Sequence, residues 1–160
     1  MIYFKPDIEI HHFSDLSADV LVKNNIKTIF SDLDSTLAIH DQPGDKELEG
    51  WVKMLKENDI TLIIASNNNQ DRVDAFVKPY NITGFGKCKK PLTSVLEQKM
   101  KQLGIQKQTS LFLGDQLLTD VWCGKRLNIK TALVKPLGRE HEPWNITLKR
   151  QIEKLIRLRW

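Results

Sequence analysis

Ile26-Lys27-Thr28-Ile29-Phe30-Ser31-Asp32-Leu33-Asp34-Ser35-Thr36-Leu37 is the stretch that decides the fold. Its first half is rich in β-branched and aromatic residues and reads as a short strand. Two aspartates follow where the apolar run stops. Residues i and i+2 of a strand project the same way, so Asp32 and Asp34 stand side by side at the strand's carboxyl edge. Open α/β sheets hold their ligands at that edge. Adjacent carboxylates repel each other until a cation or a proton relieves them. The simplest such cation is Mg2+, a hard ion that takes a few oxygens and keeps several waters.

Outward from this stretch, strand-like runs recur at residues 60–65, 110–114 and 130–134, with a weaker one at 83–85. Helical patterns fill the gaps. Leu48, Trp51, Val52 and Leu55 recur at i, i+3, i+4 and i+7 between Asp45 and Asp59. Val73, Phe76 and Val77 make a shorter stripe over residues 70–78. Leu92, Leu96, Met100 and Leu103 make another, which Pro91 is expected to open and Gly104 to close. Such alternation predicts an α/β protein, a mostly parallel sheet with helices on both faces, formed by residues 1–160 as one domain. One helix uses up much of the chain between Asp34 and Ser66, and the stretch from there to Lys90 is short. Neither has room for a large cap domain, so the site is expected to be open.

A chain of 160 residues can bury a real core, and 41% hydrophobic content argues against disorder. The two cysteines, Cys88 and Cys123, form neither a disulfide framework nor a zinc site by themselves, which suits a reduced, cytoplasmic setting. His11, His12, His40 and His141 are scattered without ligand spacing. The start shows no signal-peptide pattern, and the apolar run Leu62-Ile63-Ile64-Ala65 is far below the roughly 20 residues that span a bilayer, so a soluble protein is expected.

Four pieces fall at predicted carboxyl edges of strands. They are Asp32-x-Asp34-x-Thr36, Ser66 with Asn67-Asn68-Asn69, Lys90 before Pro91, and Gly114-Asp115-Gln116-Leu117-Leu118-Thr119-Asp120. Singly each has a bland explanation, since acidic pairs cap turns and Ser66 can cap a helix. Together they suit phosphoryl transfer: a carboxylate as nucleophile, a second as acid and base, a cation against charge repulsion, and hydroxyl, amide and ammonium groups on the transferring oxygens.

In this order the motifs resemble those of the haloacid dehalogenase (HAD) superfamily, which implies a Rossmann-like fold. The resemblance implies that Asp32 is the nucleophile and Asp34 the general acid and base. Ser66, Asn67 and Lys90 would bind the substrate phosphate, with Lys90 also holding the nucleophile. Asp32, the main-chain carbonyl of Asp34 and Asp115 would bind Mg2+, with Asp120 just behind them. An aspartate as the second acid implies a phosphatase. A narrower resemblance spans nearly the whole chain. Phe4-Lys5-Pro6-Asp7, Asn25-Ile26-Lys27, Ser66-Asn67-Asn68, the Gly114 to Val121 segment and Thr147-x-x-Arg150-x-x-Glu153 look like the YqeG-type, capless HAD IIIA phosphatases. That family is similar to mitochondrial phosphatidylglycerophosphate phosphatases, which implies a phosphorylated substrate presented at a membrane surface. Ser35 departs from the family pattern, which usually carries Asn there. Capless relatives sometimes complete their sites with a neighbouring subunit, which leaves the oligomeric state open.

Residues 147–160 carry Lys149, Arg150, Lys154, Arg157 and Arg159 against Glu153 alone, which accounts for the whole net charge of +4. Leu148, Ile152, Leu155 and Ile156 recur between them. One reading is a basic amphipathic helix packed on the domain; the other is an interfacial helix drawn to anionic lipid headgroups. No nucleic-acid motif accompanies the charge. Two alternatives stay open at this point: a phosphatase of soluble sugar phosphates, nucleotides or phosphoproteins, and a non-enzymatic, receiver-like phospho-dependent module.

Overall fold

The computed structural model describes residues 2–160; Met1 lies outside the described residues. Six strands form one sheet: β1 (Ile8–Ile10), β2 (Thr28–Ser31), β3 (Thr61–Ala65), β4 (Thr83–Phe85), β5 (Ser110–Gly114) and β6 (Lys130–Val134). Their order is β1-β6-β5-β2-β3-β4, and every pairing is parallel. From β2 the chain runs outward through β3 and β4, then returns to the other side of β2 with β5. The strand order therefore reverses between β2 and β5, the place where such sheets open a crevice for a ligand. Asp32 follows β2 and Asp115 follows β5, so both stand at that crevice.

The strands are apolar on both faces because both faces are covered. Ile29, Leu62, Ile64, Leu111 and Leu113 pack on one side, against α1 (Ala18–Lys23), α2 (Lys46–Glu57) and α3 (Gln70–Val77) through Leu21, Leu48, Trp51, Leu55 and Phe76. Phe30, Ile63 and Phe112 point to the other side, against Leu96 and Met100 of α4 (Ser94–Leu103) and Cys123 of α5 (Trp122–Arg126). The split follows the two-residue period of the strands. Cys88 and Cys123 are both buried and unpaired, and burial pushes their thiols up to about 11 and about 12.

Three local readings need correction. The edge strand β1 and the short helices α1 and α5 carry too few residues to show a period, and the sequence pattern missed them. Pro91 does not open α4, which starts at Ser94, and Leu92 and Leu103 stay 52% and 49% exposed. The chain before α4 must first turn Lys90 inward. The C-terminal helix, α6 (Trp144–Arg157), starts earlier than expected and is rotated from the expected stripe. Leu148, Ile152 and Leu155 face solvent, while Arg150, Glu153 and Ile156 are buried. The two large apolar clusters close without α6, which adds Ile156 to a small third one with Leu117 and Val121. Beside that contact the edge presents polar backbone and a carboxylate, which Arg150 and Glu153 meet.

Glu153 accepts a hydrogen bond from the Leu118 N–H at 3.1 Å. Burial pushes its carboxyl up to about 7, against that hydrogen bond and the Arg150 charge. Between an unfolded value near 4.5 and about 7 the folded state holds more protons, so this group costs stability as pH rises through that window. Glu153→Gln keeps an acceptor for Leu118 and cannot ionise. It is expected to melt like wild type at pH 5 and to be more stable at pH 8 by on the order of 2 kcal/mol. Thermal melts across that range check this; a deficit at pH 8 would show that the ionised carboxylate stabilises the helix.

Candidate active site

Four loops at the carboxyl edge bring the site together. The Asp32 N–H donates to the Leu113 carbonyl at 2.9 Å, which extends the β2–β5 ladder by one residue and fixes where the Asp32 carboxylate leaves the sheet. After β5 the chain makes a tight π-turn, Leu117–Val121, that carries Asp120 back over Gly114. A Cβ on Gly114 would lie 2.2 Å from the Asp120 Cβ, so only glycine permits this close approach. The Asp120 carboxylate then accepts from the Asp115 and Gln116 N–H groups, both at 3.1 Å.

Lys90 joins the carboxylates. Its Nζ donates to Asp32 Oδ1 at 2.9 Å and to Asp120 Oδ1 at 2.7 Å, and its side chain is 1% exposed. Lys89, beside it in sequence, is exposed. Oxygens of Asp32, Asp115 and Asp120 all lie within 4.8 Å of one another. Burial raises the Asp32 carboxyl well above the usual range; Lys90 opposes this, while the charges of Asp120 and Asp115 add to it. Burial and then Asp120 push Asp115 up to about 6 despite Arg150 and Thr36. Lys90 moves above its ordinary value because the Asp120 and Asp32 charges outweigh its burial.

Asp115 is held from two sides: Thr36 Oγ1 donates to Oδ1 at 2.8 Å and Arg150 to Oδ2. Arg150 also donates to the Asp115 carbonyl at 3.1 Å and pairs with Glu142. Two buried cations thus face four carboxylates, those of Asp32, Asp115, Asp120 and Glu142. The donor set is short of positive charge and is made of hard oxygens, which fits a small divalent ion. Asp120 accepts three hydrogen bonds, from Lys90 and two N–H groups, whereas each Asp115 oxygen accepts one and Asp32 accepts one on Oδ1, so Asp32 and Asp115 keep more lone pairs for an ion.

Asp34 sits apart from this cluster. Its carboxylate accepts from the Asp41 N–H at 2.9 Å, Asn68 Nδ2 at 3.0 Å and Arg72 at 3.0 Å. Burial works to raise its pKa, but these hydrogen bonds and the Arg72 charge outweigh it and hold the carboxyl below the usual range. Ser66 is buried at the end of β3, fixed by its N–H to the Phe85 carbonyl and by its carbonyl to the Cys88 N–H; its Oγ accepts from the Asn68 N–H at 3.0 Å. The Asn67 amide is spent on the backbone of Lys90, accepting from its N–H at 2.7 Å and donating to its carbonyl at 2.9 Å. Its side chain braces the loop that aims Lys90 instead of reaching out for a phosphate. Ser35, at φ +66°, is in the left-handed region that Asn tolerates better, and its buried Oγ has no hydrogen-bond partner among the described residues.

Sequence reasoning missed Arg72 and Glu142 as parts of this site, and it quoted Asn68 and Arg150 within motifs without giving either a role there. Arg72 carries no motif of its own. The Arg150-x-x-Glu153 spacing was a usable signal, because residues three apart share a helix face.

Residues 9–134 match the haloacid dehalogenase-like hydrolase family. This chain belongs to the HAD-like hydrolases. The HAD-like chain is 33% identical over 155 residues, 96% of its length and 90% of the relative's, to the probable phosphatase YqeG of Bacillus subtilis (strain 168). Among solved structures, the cobalt-bound deoxy-D-mannose-octulosonate 8-phosphate phosphatase of Haemophilus influenzae superposes with a TM-score of 0.54 at 18% identity, covering 74% of this chain and 83% of that one. The 3-deoxy-D-manno-octulosonate 8-phosphate phosphatase of Moraxella catarrhalis, in complex with magnesium, phosphate and the sugar acid, gives 0.52 at 22% identity over 62% of this chain and 63% of that one. These two share the fold. The HAD-like chain is an enzyme of the phosphatase type, and the receiver-like alternative falls away. No large cap interrupts its sheet among the described residues.

Proposed function

We propose that this protein is a Mg2+-dependent phosphomonoesterase that works through an aspartyl-phosphate on Asp32, and that its substrate is phosphatidylglycerophosphate, converted to phosphatidylglycerol at a membrane surface. The observation that carries the chemistry is the Lys90 bridge between Asp32 and Asp120, which fixes the rotamer of a carboxylate whose burial makes it poorly solvated. Asp32 attacks the phosphorus and the ester oxygen leaves. Asp34 gives that oxygen its proton, then takes a proton from the water that opens the aspartyl-phosphate. Its hydrogen bonds keep Asp34 ionised before the ester binds, so it is free to accept a proton in the second half, and the charge of the incoming phosphate is what must raise it for the first. Lys90 and the Ser66 hydroxyl supply charge and a hydrogen bond to the phosphoryl oxygens. Asp32, Asp115 and the Asp34 carbonyl would hold Mg2+, which would supply the charge that lets a dianionic ester approach a carboxylate.

Asp115→Ala is expected to raise the Mg2+ concentration needed for half-maximal binding by about tenfold or more, since one of few hard ligands is lost. Calorimetric Mg2+ titration of the variant checks this, and an unchanged affinity would place the ion elsewhere.

The lipid substrate is supported by α6. Trp144, Leu148, Ile152 and Leu155 lie outward on its surface, 46–77% exposed, on an element whose Arg150 touches the site. No helix among the described residues is long and apolar enough to cross a membrane. A phosphatase panel with phosphatidylglycerophosphate in mixed micelles, run with Mg2+ and with EDTA, tests the reading. Turnover of the lipid well above that of soluble sugar phosphates and nucleotides is expected, together with sedimentation on anionic liposomes. A soluble ester turned over best, with no liposome binding at low salt, would reject the lipid substrate and leave the phosphatase chemistry standing.

A further inference from the structure

The C-terminal helix α6 grips the loop that follows β5 at two points. Arg150 reaches Asp115, and Glu153 accepts from the Leu118 N–H three residues further along that loop. The Arg150 contact ties both ends of one residue. Its Nη1 donates to the Asp115 main-chain carbonyl at 3.1 Å, and its Nη2 donates to the carboxylate Oδ2. With both oxygens on one rigid plane, the torsions between them have little freedom left. Glu142 sets that plane, accepting from Nε at 2.8 Å and from Nη2. The side chains of Arg150 and Glu142 are 6% and 1% exposed. Neutralising Asp115 does not by itself account for this arrangement. One guanidinium between two carboxylates leaves a net negative charge, and burying Glu142 adds a desolvation cost. What Glu142 contributes is a fixed direction for the guanidinium.

We propose that Arg150, aimed by Glu142, is the positioning residue of the metal site, and that it holds the Asp115 carboxylate facing Asp32 so that the two can share a divalent ion. The inference rests on Asp115 being a Mg2+ ligand. An oxygen of Asp115 lies within 4.8 Å of oxygens of Asp32 and Asp120, and the charges of these groups repel one another. Apart from Arg150, the side-chain donor to the Asp115 carboxylate among the described residues is Thr36 Oγ1 alone. A single hydroxyl contact leaves such a carboxylate free to turn away from its neighbours. The planar fork of Arg150 holds it against that repulsion, and a lysine, with one compact ammonium, cannot reproduce the fork.

The test is calorimetric titration of Mg2+ into the full chain without substrate, which reads binding apart from turnover. Arg150→Lys keeps the charge and removes the fork. It is expected to weaken Mg2+ binding about tenfold, and by no more than Asp115→Ala does. In an Asp115→Ala background the same change is expected to add less than about twofold, because no carboxylate is left to position. Equal losses in the two backgrounds overturn the proposal. So does unchanged or tighter Mg2+ binding together with a lower melting temperature, which would leave Arg150 as a fastener of α6. Should Arg150→Lys fail to fold, Glu142→Gln decides. It frees the guanidinium to turn and is expected to weaken Mg2+ binding about threefold, again only where Asp115 is present. A loss that persists without Asp115, or no loss at all, overturns the proposal. Mg2+ binding that is absent from the wild type, or untouched by Asp115→Ala, would overturn the metal site itself and the proposal with it. Failure of the aspartyl-phosphate mechanism would show in turnover and not in this titration, so the two results are distinguishable.

Discussion

Asp32→Asn is expected to lower kcat by on the order of 10^4-fold or more while the protein stays folded. An amide oxygen is too weak a nucleophile to take the phosphoryl group, and the change also removes one of the two carboxylates available to a divalent ion. The stability effect has a definite sign. The Asp32 carboxyl is raised above its ordinary value by burial and by the charges of Asp120 and Asp115, which outweigh Lys90. The folded state therefore binds more protons than the unfolded chain once pH passes the ordinary carboxylate range, and ionised Asp32 costs stability from there upward. Without Mg2+ at neutral pH, the asparagine variant should melt no lower than wild type. Steady-state phosphate release, single-turnover trapping of phosphoprotein and thermal melts in EDTA give the three readouts. A folded variant that turns over near the wild-type rate would sink the aspartyl-phosphate mechanism.

Lys90→Met is expected to be the most damaging change to the fold. Methionine matches the volume of the stem but leaves Asp32 and Asp120 buried without their shared cation. Breaking a buried pair in this way costs about 3–5 kcal/mol. The deficit should be largest at pH 8 and shrink toward pH 5, because Asp32 and Asp115, both already raised, regain protons as pH falls. Mg2+ should restore part of the loss, since it supplies the missing positive charge to the same oxygens. Urea melts of both proteins, with Mg2+ and with EDTA, measure each element. Equal stability of variant and wild type in EDTA would show that Lys90 does not hold these carboxylates together.

The two expected outcomes separate two tasks of one cluster. Lys90 relieves repulsion between Asp32 and Asp120 that would otherwise oppose folding, and in the proposed mechanism the same contact aims Asp32 for attack. Asp115 is held by Thr36 from the β2 loop and by Arg150 from α6, so the last helix of the chain reaches the site at the centre of the sheet. Residues 9–134 match the hydrolase family and contain all four motifs, yet Arg150 lies beyond them. A chain cut after β6 would leave the Asp115 carboxylate with Thr36 as its one side-chain donor among the described residues.

Much of the site was legible because each of its motif residues stands next to a strand with a clear apolar pattern. Asp32, Ser66 and Asp115 each follow a strand whose alternating faces pack against two helical layers, so their place at the carboxyl edge is set by local sequence. Lys90 was legible through Pro91 beside it, even though the helix begins three residues later than that proline suggests. The central strands and the helices α2, α3 and α4 were legible for the same reason: their periods are long enough to be read. β1, with three residues, has no period to read, and only its pairing with β6 makes it a strand.

By itself, then, the sequence determined a parallel α/β sheet and an acidic centre at the end of its middle strand, because periodicity and strand termini are local properties. Tertiary structure alone decided which residues reach that centre from afar. Arg72 crosses to Asp34, Asn67 locks the Lys90 loop, and Arg150 crosses to Asp115. It also decided which way α6 faces. A helix with both an apolar stripe and a charged stripe can bury either one. The edge it meets offers a carboxylate and a backbone N–H beside one small apolar patch at Leu117 and Val121, so Arg150 and Glu153 go in with Ile156, and Leu148, Ile152 and Leu155 are left in water.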